Sequence, residues 1–439
     1  MNPFIGIAAV LFAMGALTLG VKRLQAGGRV GAETARKLVH MGMGGVCLTF
    51  PWLFAEAWPV WALVGLAGAG LMALRFIPVL RRDFGGVLHD VNRASFGEVY
   101  FPLGVAAVFT LAQGSAIRFV IPVALLTFAD AAGALVGKRF GRRMYQTLEG
   151  QKSVEGSVAV GAAGFLCSAG PLLVAGHDAR AAVVIGALMG LFGMILEAIS
   201  WRGLDNVFLP LAAFAQISVY LHASLGALLA RLAVLTALTI IAVIWRRGRV
   251  ADDSARLGAV LAMYFFWAFG GWAWLVAPVV LLGSYLRLMP ATPADAPRHN
   301  LVAVICVSSA GLAWCVAHAF SPEPRWLWLF TLGIATHQAV IATVRFSQGR
   351  SRWPRAAWWA TGVTQAVLTQ GAAFWLLDRG RTVTVAGLAV GAVCLAVAVG
   401  GFVLCERNLQ MPEDLNARWW KQGTAAMAAS AAGLLVTNL

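Results

Sequence analysis

Apolar residues run in blocks of about 17 to 22 positions along the whole chain, broken by short polar segments. That is the length a helix needs to cross a hydrocarbon core of roughly 30 Å. In the first half the blocks lie near 3–20, 38–54, 59–74, 98–113, 119–136, 157–175, 181–198, 206–221 and 224–244. Seven more follow near 257–271, 273–288, 300–319, 326–343, 357–376, 383–404 and 420–437. Backbone in lipid must satisfy its own hydrogen bonds, so such blocks form helices. The short alternating segments of a membrane β-barrel do not occur. The expected fold class is an all-α polytopic membrane protein with about 15–16 transmembrane helices. The first block, Asn2 to Gly20, has neither a basic start nor a small-residue cleavage site, and reads as a retained helix, not a signal peptide.

Composition agrees. The 439 residues are 60% hydrophobic and 12% charged, against roughly a quarter charged in soluble domains. A net charge of +15 would suit nucleic acid, but its placement points to the bilayer. One set of alternate loops carries Lys22, Arg23, Arg29, Arg36 and Lys37, then Arg75, Arg81, Arg82 and Arg93. The same set continues with Lys138, Arg139, Arg142, Arg143, Lys152 and Arg202, and then Arg246, Arg247, Arg249 and Arg256. The opposite set carries only Arg118 and Arg180. The positive-inside rule then places the N-terminus outside and the long basic loops in the cytoplasm. Anionic lipid is the ordinary partner of such charge, with no nucleic acid required. The expected location is the bacterial inner (plasma) membrane.

A change of composition near 245–256 suggests two domains, 1–250 with chemistry-bearing loops and 251–439 with additional helices of no evident role. Trp326, Trp328, Trp353, Trp358 and Trp359 in the second half are expected to anchor helix ends at the headgroup level. The six cysteines are scattered through apolar runs without metal-ligand spacing and read as packing residues.

The candidate chemistry gathers at helix ends of the first half. Arg36 and Lys37 stand at a helix entrance, with His40 three and four residues on, a set suited to a phosphate or lipid headgroup. The following glycines are no dinucleotide fingerprint, since that spacing needs glycine at Cys47. Glu98 opens an apolar helix, where the macrodipole tolerates an acid. Asp130 lies inside an otherwise uncharged apolar run. A carboxylate there costs about 2.5–3.5 kcal/mol even on lenient insertion scales, so it should face a partner or a water-filled cavity.

The segment Glu149-Gly150-Gln151-Lys152-Ser153-Val154-Glu155-Gly156-Ser157 is not a Walker A loop, which would require glycine at Gln146 and Gln151. It offers a lysine, two hydroxyls, a glutamate and glycines at a helix start, where backbone N–H groups bind anions. With Lys138, Arg139, Arg142 and Arg143 it suits a polyphosphate. Glu197, Asp205 and Asn206 add acidic and amide oxygens on the same side, as a Mg²⁺–nucleotide complex requires.

Taken in order, RKLVHMGMG, GEVYFPLG, FADAAGALVGKRFG, GQKSVEGS and LEAISWRGLDNVFLPL resemble the phytol kinase and dolichol kinase family. These CTP-dependent polyprenol kinases are related to the phosphatidate cytidylyltransferases. The resemblance covers about residues 30–215, and the Asp130-to-Gly156 stretch is its specific part. It implies that Asp130, Lys152, Ser153 and Glu155 belong to the nucleotide and metal site, and that the substrate is an isoprenoid alcohol. The expected cofactor is Mg²⁺, held by Asp130 and Asp205, with CTP as phosphoryl donor. Lys138, Arg139, Gly150, Gly156, Ser157 and Asn206 would complete the nucleotide site, and Arg36, Lys37, His40 and Glu197 the lipid or phosphate site. Glu155 or Glu98 would take the hydroxyl proton. Cytidylyltransferases end in a Pro-Gly-His-Gly-Gly…Asp-Arg signature, where this chain has Gly203-Leu204-Asp205-Asn206-Val207-Phe208-Leu209-Pro210. Phosphoryl transfer is therefore the expectation, with a CDP-lipid-forming cytidylyltransferase or a lipid or ion transporter as alternatives.

Overall fold

A computed structural model describes residues 2–76, 97–147, 150–199, 203, 205–244, 251–290, 299–349, 352–379, 383–406, 409–410 and 415–437. The protein is an all-α polytopic membrane protein, and the apolar runs fold as helices. Among the described residues eight helices are long and apolar enough to cross a membrane, and three shorter apolar helices, Trp58–Gly70, Val99–Ala112 and Ala273–Arg287, accompany them. Among the described residues each of the sixteen apolar runs coincides with a helix or continuous helical stretch in chain order; those outside the eight are shorter, such as Ala32–Cys47, or less apolar, such as Arg355–Asp378. The run near 38–54 divides into a helix ending at Cys47 and a separate single turn, Phe50–Leu53.

The chain packs as two compact units, Met1–Ile240 and Ile241–Leu439. The first contains α1 (Pro3–Ala26), α2 (Ala32–Cys47), α3 (Trp58–Phe76), α4 (Gly97–Ala112) and α5 (Ala116–Ala124). A π turn, Leu125–Ala129, joins α5 to α6 (Asp130–Phe140) without a break in the span. Next come two short strands, then α7 (Val154–Val174), α8 (Ala179–Ala198), α9 (Asp205–Tyr220) and α10 (Leu225–Ile244), whose last turn passes the division.

The strands are the departure from an all-helical chain. β1 (Met144–Thr147) and β2 (Gly150–Ser153) pair antiparallel with Tyr145 opposite Lys152. Gly150 holds φ +127 at the start of β2, a conformation that strains any residue with a Cβ. The hairpin delivers Lys152 in a set orientation just before the helix start at Val154.

Glycine also sets how closely α6 and α7 cross. A Cβ on Gly156 would lie 2.9 Å from the Gly133 carbonyl oxygen and 3.2 Å from Gly137 Cα. With hydrogen in its place the two backbones touch, the close approach small residues permit between membrane helices. Gly156, expected in the nucleotide site, is a packing residue in this arrangement.

In the second unit Pro324–Gly349 is the most enclosed span, packed by Leu301–Phe320, Ala273–Arg287, Arg355–Asp378, Val385–Cys405 and Leu415–Thr437. Its buried face is polar in the middle: Gln338 donates to Thr369, Gln370 donates to Gln338, and His337 shares a hydrogen bond with Gln422. Trp328 and Trp358 are buried in this unit's core. The expectation that they anchor helix ends at headgroups is thereby corrected: they pack against their own bundle. Trp353 is exposed.

Replacing Gly156 with Ala should destabilise the protein by about 1–3 kcal/mol through overpacking. Gly170→Ala on the same helix meets nothing within 4 Å and should leave the melting temperature unchanged or slightly raised. Thermal melts in detergent compare the two.

Candidate functional site

The site forms where α2, the π turn, α6, the hairpin and the end of α8 meet. Helix α2 begins six residues before the expected run, so Arg36, Lys37 and His40 all lie on it. Arg36 and Lys37 do not act as a pair, because adjacent residues point about 100° apart on a helix. Arg36 is exposed, whereas Lys37 is 6% exposed and turned inward. Its Nζ donates to Asp130 Oδ2 at 2.6 Å. The partner that a carboxylate in an apolar run demands is therefore a lysine 93 residues away in sequence.

The π turn presents Asp130. Its wider winding precedes that residue directly, and such bulges are frequent at functional sites. His40 Nε2 lies 3.2 Å from the Leu126 carbonyl oxygen within this turn and 3.8 Å from Asp130 Oδ2. The His40 ring meets Phe101 edge-on at 5.0 Å. Gly44 lets α2 reach the π turn, since a Cβ there would collide with the Thr127 side chain.

A second ion pair sits beside the first. Lys152 Nζ donates to Glu197 Oε1 at 2.7 Å and also to the Glu197 backbone carbonyl. Burial alone would lower the Lys152 ammonium. The Glu197 carboxylate and its hydrogen bond, with further contributions from Tyr145 and Asp205, outweigh burial and hold the group above its ordinary value. A lysine raised this way keeps its charge through neutral pH and loses the associated stability only in strong alkali. Asp130 lies in the electrostatic field of Lys152, and Glu197 in the fields of Asp130 and Asp205. The two pairs are one electrostatic unit, and Asp205, the first residue of α9, belongs to its surroundings.

The remaining expected residues divide. Ser153 is buried and caps α7, its Oγ accepting from the Gly156 N–H at 3.1 Å. Ser157 Oγ lies 2.8 Å from the Tyr145 hydroxyl. Glu155 folds back on the loop before the hairpin, its carboxylate accepting from the backbone N–H groups of Arg142 and Arg143 at 3.0–3.3 Å. Glu155 thereby holds the backbone of the loop before the hairpin. A pocket of about 530 Å³ opens beside it, lined by Arg142, Arg143, Val154, Glu155 and Val158. Lys138 and Arg139 are exposed in the last turn of α6, with Arg139 over the Phe140 ring. Gly150 is exposed in the hairpin, and the Asn206 backbone packs against Gly104. The Glu98 side chain lies outside the described residues.

Sequence reasoning missed Tyr145, which nothing marks except its place opposite Lys152 once a hairpin is drawn. It also missed the pairing of Lys37 with Asp130, whose only sign was one unmatched carboxylate and one inward-facing cation.

The donor set fits a hard divalent cation. Asp130 and Asp205 both contribute to the electrostatic field at Glu197, and carboxylate oxygens are the ligands Mg²⁺ takes in company with phosphate oxygens. Among the described residues no three acidic, histidine or cysteine side chains form a ready cage. The arrangement suits a cation shared with a phosphate ligand and not an all-protein site.

The chain matches the cytidylyltransferase family over residues 4–200. It is 31% identical over 214 residues to the phytol kinase of Synechocystis sp., a match that spans 48% of this chain and 88% of that protein. No solved structure matches it. The family match contains both ion pairs and lies within the first unit.

Removing one member of the Lys152–Glu197 pair should cost up to about 3 kcal/mol, because the other stays partly buried without its counter-charge. Lys152→Met should therefore melt well below the wild type, and Lys152→Met/Glu197→Met should recover most of the loss. A calorimetric or fluorescence melt of both variants checks the sign of the coupling.

Proposed function

Since the chain belongs to the phytol and polyprenol kinase family, we propose that it transfers the γ-phosphoryl group of CTP, or of another nucleoside triphosphate, to an isoprenoid alcohol such as phytol, geranylgeraniol or a polyprenol. The observation that carries this reading is the adjacency of the Lys37–Asp130 and Lys152–Glu197 pairs at one end of the first unit's helices. Phosphoryl transfer asks a protein for little covalent chemistry and much positioning and charge compensation. Two lysine–carboxylate pairs that lie in one another's electrostatic field are the means for that task.

In this mechanism the prenol tail lies among lipid-facing helices and its hydroxyl reaches the Asp130 end of α6. Lys152, fixed by the hairpin and oriented by Glu197, compensates the charge that develops on the transferring phosphoryl oxygens. Lys37 does the same from α2. Asp130 and Asp205 would hold Mg²⁺, which would supply Lewis-acid neutralisation of phosphate charge there. Glu155 or Glu98 takes the hydroxyl proton, Glu155 after release from the Arg142 and Arg143 backbone N–H groups that its carboxylate accepts from. The clustering of positive charge on alternate loops supports a cytoplasmic site, an external N-terminus and residence in the bacterial inner membrane. Residues 1–250 form the catalytic domain in this account, and 251–439 an additional helical domain.

A second reading, transfer of the cytidylyl group to a lipid phosphate, draws on the name of the matched family. The two differ in what is released. Purified protein with Mg²⁺, CTP or ATP, and a panel from geraniol to long polyprenols plus phosphatidic acid should yield CDP and a prenyl phosphate. Pyrophosphate with a CDP-lipid would favour the second reading, and no turnover with any acceptor would favour transport.

Two variants bear on the residue roles. Asp130→Asn should lower kcat by about a hundredfold to a thousandfold, as loss of a single electrostatic contact to the reacting group does. Glu155→Gln separates the two candidate bases: a loss of about 10²–10⁴ in kcat assigns the proton to Glu155, and a change within about tenfold assigns it to Glu98. Steady-state kinetics with one soluble short-chain prenol measures both.

A further inference from the structure

Stability does not explain two ion pairs placed side by side. A buried pair is on average no more stabilising than apolar side chains of the same volume. Both pairs here also have the same make-up: one primary ammonium and one carboxylate, at 2.6 Å for Lys37–Asp130 and 2.7 Å for Lys152–Glu197. An ammonium is a ligand for phosphate oxygens, and a carboxylate is a ligand for a hard divalent cation. Neither pair is sealed, since Asp130 keeps 21% and Lys152 25% of its side-chain surface accessible.

We propose that the two pairs exchange partners when a divalent cation–nucleoside triphosphate complex binds. Lys37 and Lys152 leave their carboxylates for phosphate oxygens, while Asp130 and Glu197 turn to the cation. This rests on the kinase reading and deepens it, adding Lys37 and Glu197 to the nucleotide–metal site. The four side chains sum to zero formal charge. A bare triphosphate can engage the lysines only by stranding two carboxylates, and a bare cation can engage the carboxylates only by stranding two lysines. Stranding a buried charge is strongly unfavourable. The complex satisfies all four at once, so nucleotide and cation bind with positive coupling through the protein.

Glu197→Gln separates this from a merely structural role. Lys152 keeps its bond to the Glu197 backbone carbonyl, so the lysine stays placed but loses its competing carboxylate. Calorimetric titration of the full-length protein with CTP in EDTA should then show binding about tenfold tighter than wild type, with the gain from added Mg²⁺ shrinking by a similar factor. Glu197→Gln/Lys152→Gln should lose the gain. If Glu197→Gln does not fold, Asp130→Asn releases Lys37 by the same logic and should tighten metal-free CTP likewise. Exchange is overturned if wild type binds Mg²⁺–CTP while the folded carboxamide variants bind metal-free CTP no better than it does. A wild type that binds CTP neither with nor without Mg²⁺ overturns the exchange and the nucleotide reading together.

Discussion

A carboxylate in an apolar helix needs a counter-charge, and that requirement organises the first unit. Asp130 stands within a span that the bilayer would otherwise make uniformly apolar, and leaving it charged and unpaired would cost several kcal/mol. Its partner Lys37 comes from α2, and the approach of α2 depends on Gly44 passing under the Thr127 side chain in the π turn. The π turn in turn sets the direction of Asp130 and offers the Leu126 carbonyl to His40. One charge thus ties together an unusual backbone turn, a glycine contact and a long-range ion pair.

The same dependence extends to α7 and α8. The glycine crossing of α6 and α7 brings the hairpin against the Asp130 helix, and Lys152 on that hairpin reaches the last turn of α8 at Glu197. Four stretches distant in sequence converge: α2, the π turn with α6, the hairpin, and the end of α8. Membrane helices are suited to this, because small residues allow close backbone approach and a low-dielectric surrounding strengthens each charge contact.

Much of this was legible in the sequence. Helix periodicity was not needed: block length and charge placement identify the polytopic class, and Asp130 announces itself as an isolated acid. Lys152 and Glu197 were both visible as candidates, in separate clusters. Their pairing was not, because nothing local relates a hairpin lysine to an acid 45 residues on. The hairpin itself was hidden by its brevity, four residues a strand, in a stretch whose glycines and charges read as loop. The backbone contacts of Glu155 were hidden for a different reason. A carboxylate in the first helical turn can serve a ligand or neighbouring backbone N–H groups, and its bonds to the Arg142 and Arg143 N–H groups depend on the fold of residues 141–143. Trp328 and Trp358 misled because helix ends in sequence need not be bilayer surfaces when another helix covers them.

Phosphoryl and nucleotidyl transfer differ in which phosphorus reaches the lipid. Incubating the protein with an isoprenoid alcohol, Mg²⁺ and CTP labelled at either the α- or the γ-phosphorus, then extracting into organic solvent, answers this directly. Label from the γ-position alone in the organic phase, and its loss in Asp130→Asn, is the predicted result. Label from the α-position in the lipid product would contradict the account, because the cluster around Asp130 would then serve nucleotidyl transfer and not phosphoryl transfer.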